Sequence, residues 1–169
     1  MVSLQKNDIG ITLLAWVVMI AFDFFLHGGV LARLYLEDSP FLLSAETAFM
    51  RIPLGYLSFL LLGVLLVWLM KNIGINERRR GFLFGLQLGG LAWGALVLGL
   101  YSIATANPLL LVGWWIGQSL ELAIAGYTVG TYREGVEIKK ITWRVLLFFF
   151  IMIIITIIMQ SIGLAPPMK

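Results

Sequence analysis

The sequence predicts an all-α fold, an integral membrane bundle of five transmembrane helices in a single domain that covers residues 1–169. Two observations carry this prediction. Of the 169 residues, 60% are hydrophobic and 12% are charged, which is about half the charged fraction of an ordinary soluble domain, and the mean hydropathy is +0.97. The apolar residues also fall into five long runs separated by short polar segments.

Each apolar run is long enough to cross a hydrocarbon core about 30 Å thick, which takes about 20 mainly apolar residues in a helix. Ser44, two residues before Glu46, is a helix-start signal, so we predict a short interfacial helix over about residues 40–50. Pro108 pushes Asn107 out of helical geometry and predicts a tight turn between the third and fourth spans. The predicted spans cover about residues 9–32, 52–70, 81–105, 109–130 and 145–162.

The first run also has features of a secretory signal, because Lys6 precedes an apolar core of signal-peptide length. No small-x-small cleavage site follows this core, and the apolar character resumes after Asp23. We therefore expect the run to be retained as the first membrane span.

The positive charges predict the orientation of the bundle, because cytoplasmic loops carry excess Lys and Arg. With five spans, the N-terminus and the second and fourth loops share one side, which holds nine of the 12 Lys and Arg, against Arg33, Arg51 and Lys169 on the other. We predict a cytoplasmic N-terminus, an external C-terminus and multi-pass insertion into the cell's inner (plasma) membrane. The nine are Lys6, Lys71, Arg78, Arg79, Arg80, Arg133, Lys139, Lys140 and Arg144.

The composition also narrows the partners. The isoelectric point near 9.4 is basic, but the basic residues form short clusters between apolar runs, where a bilayer explains them better than nucleic acid does. The chain has no Cys, which removes disulfides, thiolate metal sites and thiol catalysis. We predict the lipid bilayer as a partner, a homo-oligomer or a larger membrane complex as the assembly, and no nucleic acid.

Glycines at four-residue spacing in spans three and four predict close helix packing, because lipid provides no hydrophobic force that drives helices together. We expect packing within this fold, with an oligomer contact or room for a ligand as alternatives. Span five is bulky and almost without small residues, so we expect it to face lipid or a partner subunit. Trp114 and Trp115 lie near a span end, as interfacial aromatics do. The glycines are Gly81, Gly85, Gly89, Gly90, Gly94, Gly113, Gly117, Gly126 and Gly130.

Polar residues inside the spans form the candidate site. Asp23 and His27 share one face of span one, and Gln118 and Glu121 share one face of span four. At a rise of 1.5 Å per residue, all four lie roughly 8 to 18 Å below the outer edge of the bilayer. Such groups usually face the bundle interior and mark functional sites, so we predict a ligand- or proton-binding pocket in the outer half of the bilayer between spans one and four. The residues expected at its mouth are Arg51, Tyr56, Tyr101 and Ser102.

Other interpretations of these polar residues stay open. They can form internal clamps, with Asp23 bonded to His27 or Arg51 and Glu121 bonded to Gln118 or a Tyr. A metal needs more His or a tighter cluster than one His and two carboxylates on separate helices, and a single His is a weak signal for a haem or chlorin. No catalytic motif is present, so an acid–base enzyme for a lipid-like substrate is a minor alternative. We predict no metal, and no cofactor is indicated.

Two resemblances bear on the class of protein. The stretches DFFLHGGVLARLY in span one and GQSLELAIAGYTVGTY in span four resemble a loose group of small bacterial multi-pass membrane proteins. The resemblance covers about a third of the chain and implies no activity. The chain is also similar in length, span count and Trp content to the tryptophan-rich sensory (translocator) proteins, which bind porphyrins and sterols. The Trp and Pro motifs of that family are absent, so this similarity assigns no residue.

Two functions fit the sequence. The first is a membrane protein that binds a small molecule or a proton in the polar pocket. The second is an accessory or structural subunit of a larger membrane complex, docked through span five. Substitution of the polar residues separates the two, because only the first requires them for function.

Overall fold

The computed structural model describes residues 6–37 and 39–166, without the side chains of residues 6, 7 and 45. These ranges form a helical bundle and contain no strand. A π-helical turn, Leu26–Val30, and a 3-10 turn, Ala32–Tyr35, follow the first helix. The helices are α1 (Lys6–Phe25), α2 (Ala45–Ile73), α3 (Arg78–Ile103), α4 (Pro108–Arg133) and α5 (Ile138–Ser161).

Each helix is long and apolar enough to cross a membrane, which confirms the predicted fold class. Two helices begin well before their apolar runs: α2 begins at Ala45 and α5 at Ile138, whereas the runs begin at about residues 52 and 145. Hydropathy marks where a helix enters hydrocarbon, and a helix can continue past that level into its charged ends.

The predicted interfacial helix over residues 40–50 is wrong. Ser44 caps α2 by accepting a hydrogen bond from a backbone N–H, and the helix then runs unbroken through Pro53. Glu46 and Arg51 change the polarity of this segment, but neither residue type breaks a helix. The change from polar to apolar residues after Arg51 therefore does not mark a boundary between two helices.

The first span also departs from the predicted regular helix that ends at residue 32. The α-helix ends at Phe25 and passes into the π-helical turn, Leu26–Val30, that holds His27. Gly28 and Gly29 lower the helix propensity here. π-Turns within helices are frequent at functional sites.

The bundle is built on α1, which contacts α2, α4 and α5, while α3 packs on α4. Glycines pack closely within the fold, as predicted, and they do so where α3 meets α4: a Cβ on Gly81 would lie 2.3 Å from the Gly126 carbonyl oxygen. Gly90 is an exception, because nothing lies within 4 Å of the position of its Cβ. The core is apolar and includes Ile11, Ala15, Met19, Leu66, Met70, Leu122, Ala125 and Val129.

One end of the bundle, which we call the basic end, joins the α2–α3 and α4–α5 turns. The Arg78 backbone N–H donates to Glu134 Oε1 at 2.8 Å. Nearby, Lys71 Nζ on α2 lies 2.7 Å from Asp8 Oδ2 on α1. The N-terminal end of α1 and these two turns therefore lie together, as five alternating spans require.

The opposite end of the bundle joins the α1–α2 connection to the α3–α4 turn and the end of α5. Asn107 Nδ2 donates to Glu37 Oε2 at 2.6 Å. Arg33 Nε donates to the Leu164 carbonyl at 3.0 Å. Asn107 also caps α4, directly before Pro108, which confirms the predicted tight turn.

The fifth helix packs on α1 through a narrow face and exposes the rest. Thr156 is fully buried on this face, and the Gln160 side chain donates to the Gly28 carbonyl at 3.0 Å. Such an exposed apolar surface is what a helix that faces lipid or a partner subunit needs. The exposed residues include Leu147, Phe150, Ile154, Ile157 and Ile158.

Candidate functional site

Polar side chains of α1 and α4 meet between the two helices. His27 Nε2 lies 3.1 Å from Asp23 Oδ1, and Gln118 Nε2 donates to the same oxygen at 3.4 Å. Gln118 Nε2 also lies 3.4 Å from His27 Nε2. The two predicted pairs therefore share one location, and we call Asp23, His27, Gln118 and Glu121 the α1–α4 cluster.

The neighbouring residues explain how the two helices approach so closely. Gly117 precedes Gln118, and a Cβ on this glycine would lie 2.3 Å from Leu26 Cδ2. A larger residue at position 117 would therefore force the Leu26 side chain or α4 itself to move. This glycine of the predicted rows thus serves the geometry of the cluster as well as the packing of the fold.

Glu121 is the most deeply buried member of the cluster. The residue is 0% exposed, and neither of its carboxylate oxygens has a hydrogen-bond partner among the described residues. Asp23 and the Gln118 amide lie close to it, but no hydrogen bond of normal geometry joins them. Gln118 Oε1 is likewise buried without a partner in the described chain. Buried polar atoms in native proteins are nearly always satisfied, so these three acceptors require an explanation.

Two aromatic residues extend the cluster, and sequence reasoning missed both. The Tyr35 hydroxyl hydrogen-bonds to His27 Nδ1, and Trp114 Nε1 donates to the same hydroxyl oxygen at 2.5 Å. The Asp23 carboxylate beside Nε2 favours the His27 tautomer with its proton on Nε2, which leaves Nδ1 to accept from the Tyr35 hydroxyl. Trp114 lies one helical turn before Gln118, and this spacing was the signal that places it on the same face.

The titration of Tyr35 gives a testable prediction. Burial raises the pKa of its hydroxyl, an effect that the Trp114 hydrogen bond opposes and the Asp23 charge reinforces. Above about pH 10 the unfolded chain releases this proton, whereas the folded protein still holds it. The stability that is present below about pH 10 is therefore lost as the pH rises further. We expect Tyr35→Phe to lose less stability than wild type on this rise.

Chemical unfolding at neutral and alkaline pH measures this difference. Tyr101→Phe is the matched control, because the Tyr101 residue is 61% exposed. The prediction is wrong if wild type and Tyr35→Phe lose equal stability at alkaline pH.

Arg51 does not join the cluster, contrary to the prediction. It lies on α2 with an exposed side chain, and none of the ion pairs of the described chain involves it. A long charged side chain near a span end commonly extends toward water. Tyr56 is half-buried, whereas Tyr101 and Ser102 are exposed.

The cluster lies away from both of the cavities at the ends of the bundle. Two cavities lie at the ends of the bundle, one of about 490 Å³ beside Arg133 and one of about 330 Å³ beside Asn107, and neither is lined by the cluster. Access to the cluster is at the side chains of His27 and Asp23, which are 29% and 14% exposed. A ligand that reaches Glu121 must therefore be small.

The arrangement argues against a haem or chlorin. Both ring nitrogens of His27 are engaged, Nε2 with Asp23 and Nδ1 with Tyr35, so none is free for an axial bond. Across residues 6–37 and 39–166, no group of three or more His, Asp or Glu could hold a metal ion.

Comparison with protein-family models, curated proteins and solved structures finds no match to this chain. The two resemblances seen in the sequence therefore stay predictions.

Proposed function

We propose that this chain is an integral multi-pass protein of the inner (plasma) membrane, and that its α1–α4 cluster binds a proton or a small polar molecule. The observation that carries the proposal is Glu121, a fully buried carboxyl group without a hydrogen-bond partner in the described chain. Ionisable residues inside membrane spans are costly, and they commonly mark proton relays and substrate sites.

A purely structural clamp is the competing explanation, and it accounts for only part of the cluster. Asp23, His27 and Gln118 bond to one another, as a clamp requires. A clamp residue stabilises the fold through its hydrogen bonds. The Glu121 carboxyl group forms none of normal geometry in the described ranges, so the clamp does not explain this residue. A group that costs stability without contributing a bond is typical of a functional site.

The location of the cluster supports a site in the outer half of the bilayer. Asp23 and His27 lie near the C-terminal end of α1, toward the end of the bundle that holds the α1–α2 connection. With the basic end in the cytoplasm, as the distribution of Lys and Arg predicts, this half is the outer one. The exposed face of α5 equally suits an accessory subunit, which is the second candidate function.

Infrared spectroscopy of the protein in lipid nanodiscs tests the proposal, because carboxylic acid and carboxylate groups absorb at different frequencies. We expect one carboxyl band that titrates with pH in wild type to be absent from Glu121→Gln. In Asp23→Asn the same band should titrate at a different pH, because the two carboxyl groups interact.

Glu46→Gln is the control, because Glu46 is an exposed carboxylate on α2. The band should be unchanged in this variant. A spectrum in which Glu121→Gln removes no titrating band would contradict the proposal and leave the clamp as the explanation.

A further inference from the structure

We propose that the ligand of the α1–α4 cluster is a small cation with N–H donors, such as a primary ammonium group, and that it exchanges with a proton on Glu121. This inference rests on the proposed function and names the chemical class of the ligand. It is carried by the type of the unpartnered atoms and by the balance of charge around them.

The unpartnered atoms define what a ligand must offer. Gln118 Oε1 and the two carboxylate oxygens of Glu121 are buried without partners in the described part of the chain. An amide oxygen and an ionised carboxylate accept hydrogen bonds and cannot donate them. A ligand that satisfies these atoms is therefore a hydrogen-bond donor.

The charges around Glu121 favour a positively charged donor. None of the ion pairs that Lys or Arg forms in the described ranges involves Asp23 or Glu121. Between residues 145 and 161, α5 has no titratable side chain, and between residues 81 and 103 α3 has only Tyr101, which is exposed. The titratable groups around Glu121 are Asp23, His27, which pairs with Asp23, Tyr35, which hydrogen-bonds to His27, and Tyr56 on α2.

Two carboxyl groups thus face a single His, and a buried charge needs a partner of opposite sign. A proton on Glu121 supplies one solution and a bound cation supplies another. Because the same oxygens serve both, the two occupants exclude each other.

An ammonium group fits better than a bare metal ion. The described residues contain no group of three His, Asp or Glu for a metal, whereas the orphan acceptors of Glu121 and Gln118 call for hydrogen-bond donors, which an ammonium group has and a bare ion lacks.

The exchange has a simple balance. A primary ammonium ion enters, the Glu121 carboxylic acid releases its proton to solvent, and the ammonium N–H groups bond to the resulting carboxylate and to Gln118 Oε1. One positive charge enters and one leaves. In the pH range where Glu121 is protonated, the apparent affinity should fall about tenfold for each unit by which the pH is lowered.

The test uses the full-length protein in weakly buffered detergent with a pH-sensitive dye and methylammonium chloride as the probe. We expect methylammonium to bind and to release protons. Tetramethylammonium has the same charge but no N–H group, and sodium is a bare ion, so neither chloride at equal ionic strength should release protons. Glu121→Gln should abolish the release, and Glu46→Gln should leave it unchanged.

Equal responses to methylammonium and tetramethylammonium would overturn the inference, as would release that persists in Glu121→Gln. The comparison of probes needs only wild-type protein, so it decides the question even where Glu121→Gln fails to fold. If Glu121 titrates in the infrared spectrum but no probe binds, this inference fails and the proton site stands. If Glu121 does not titrate, the proposed function itself fails.

Discussion

Gly85→Ala should lower the free energy of unfolding by about 1 to 3 kcal/mol, the usual range for overpacking a close contact. A Cβ at this position would lie 2.1 Å from the carbonyl oxygen and 2.7 Å from the carbonyl carbon of Leu122. Both atoms belong to the backbone of α4, so relief requires a shift of a whole helix rather than the rotation of one side chain. Denaturation of the purified protein in detergent measures the effect.

Gly90→Ala is the matched control, because it makes the same change on the same helix where nothing lies within 4 Å of the added Cβ. Alanine is the better helix former by roughly 0.5 to 1 kcal/mol, so this variant should be as stable as wild type or slightly more stable. Equal destabilisation by Gly85→Ala and Gly90→Ala would show that α3 and α4 do not meet through their backbones.

Glu121→Met should raise the free energy of unfolding. An unsatisfied buried polar group costs about 1 to 3 kcal/mol, and methionine fills a similar volume with a flexible apolar side chain. The sign of this change separates the two explanations, because removal of Glu121 from a hydrogen-bonded clamp would lower the free energy of unfolding instead. The same unfolding assay measures it, with Glu121→Gln as the variant that keeps the size and polarity of the side chain.

A Glu121→Met protein less stable than wild type would show that the carboxyl group has a structural partner. A more stable one would show that the native residue is kept at a cost in stability, which is typical of functional sites. Asp23→Ala should destabilise in either case, because it leaves His27 and Gln118 without their shared acceptor.

The helices and the shared polar location were predictable because they depend on local periodicity. Runs of about 20 apolar residues define the spans, and the spacing of Asp23 from His27 places both on one face of a helix. The glycine rows predicted close packing within the fold for the same reason, but not which helices it joins. Each of these signals lies in the spacing of residues within one helix.

The remaining features depend on chain geometry that spacing does not reveal. Tyr35 reaches His27 only because a π-helical turn and a 3-10 turn bend the chain back after α1. Arg51 was placed at the site from its depth alone, yet depth does not say toward which side of α2 a residue points. The orphan acceptors of Glu121 and Gln118 emerge only when all neighbours are known.

Cross-linking within the membrane tests the central claim, that α1 and α4 form one site. The native chain has no Cys, so two introduced thiols are the only ones present. We predict that Asp23→Cys with Gln118→Cys is joined within one chain by a short bifunctional thiol reagent. Asp23→Cys with Ile116→Cys should not be joined, because Ile116 is 55% exposed on the other face of α4. Joining of the Ile116 pair but not of the Gln118 pair would contradict the shared site and separate Asp23 from Glu121.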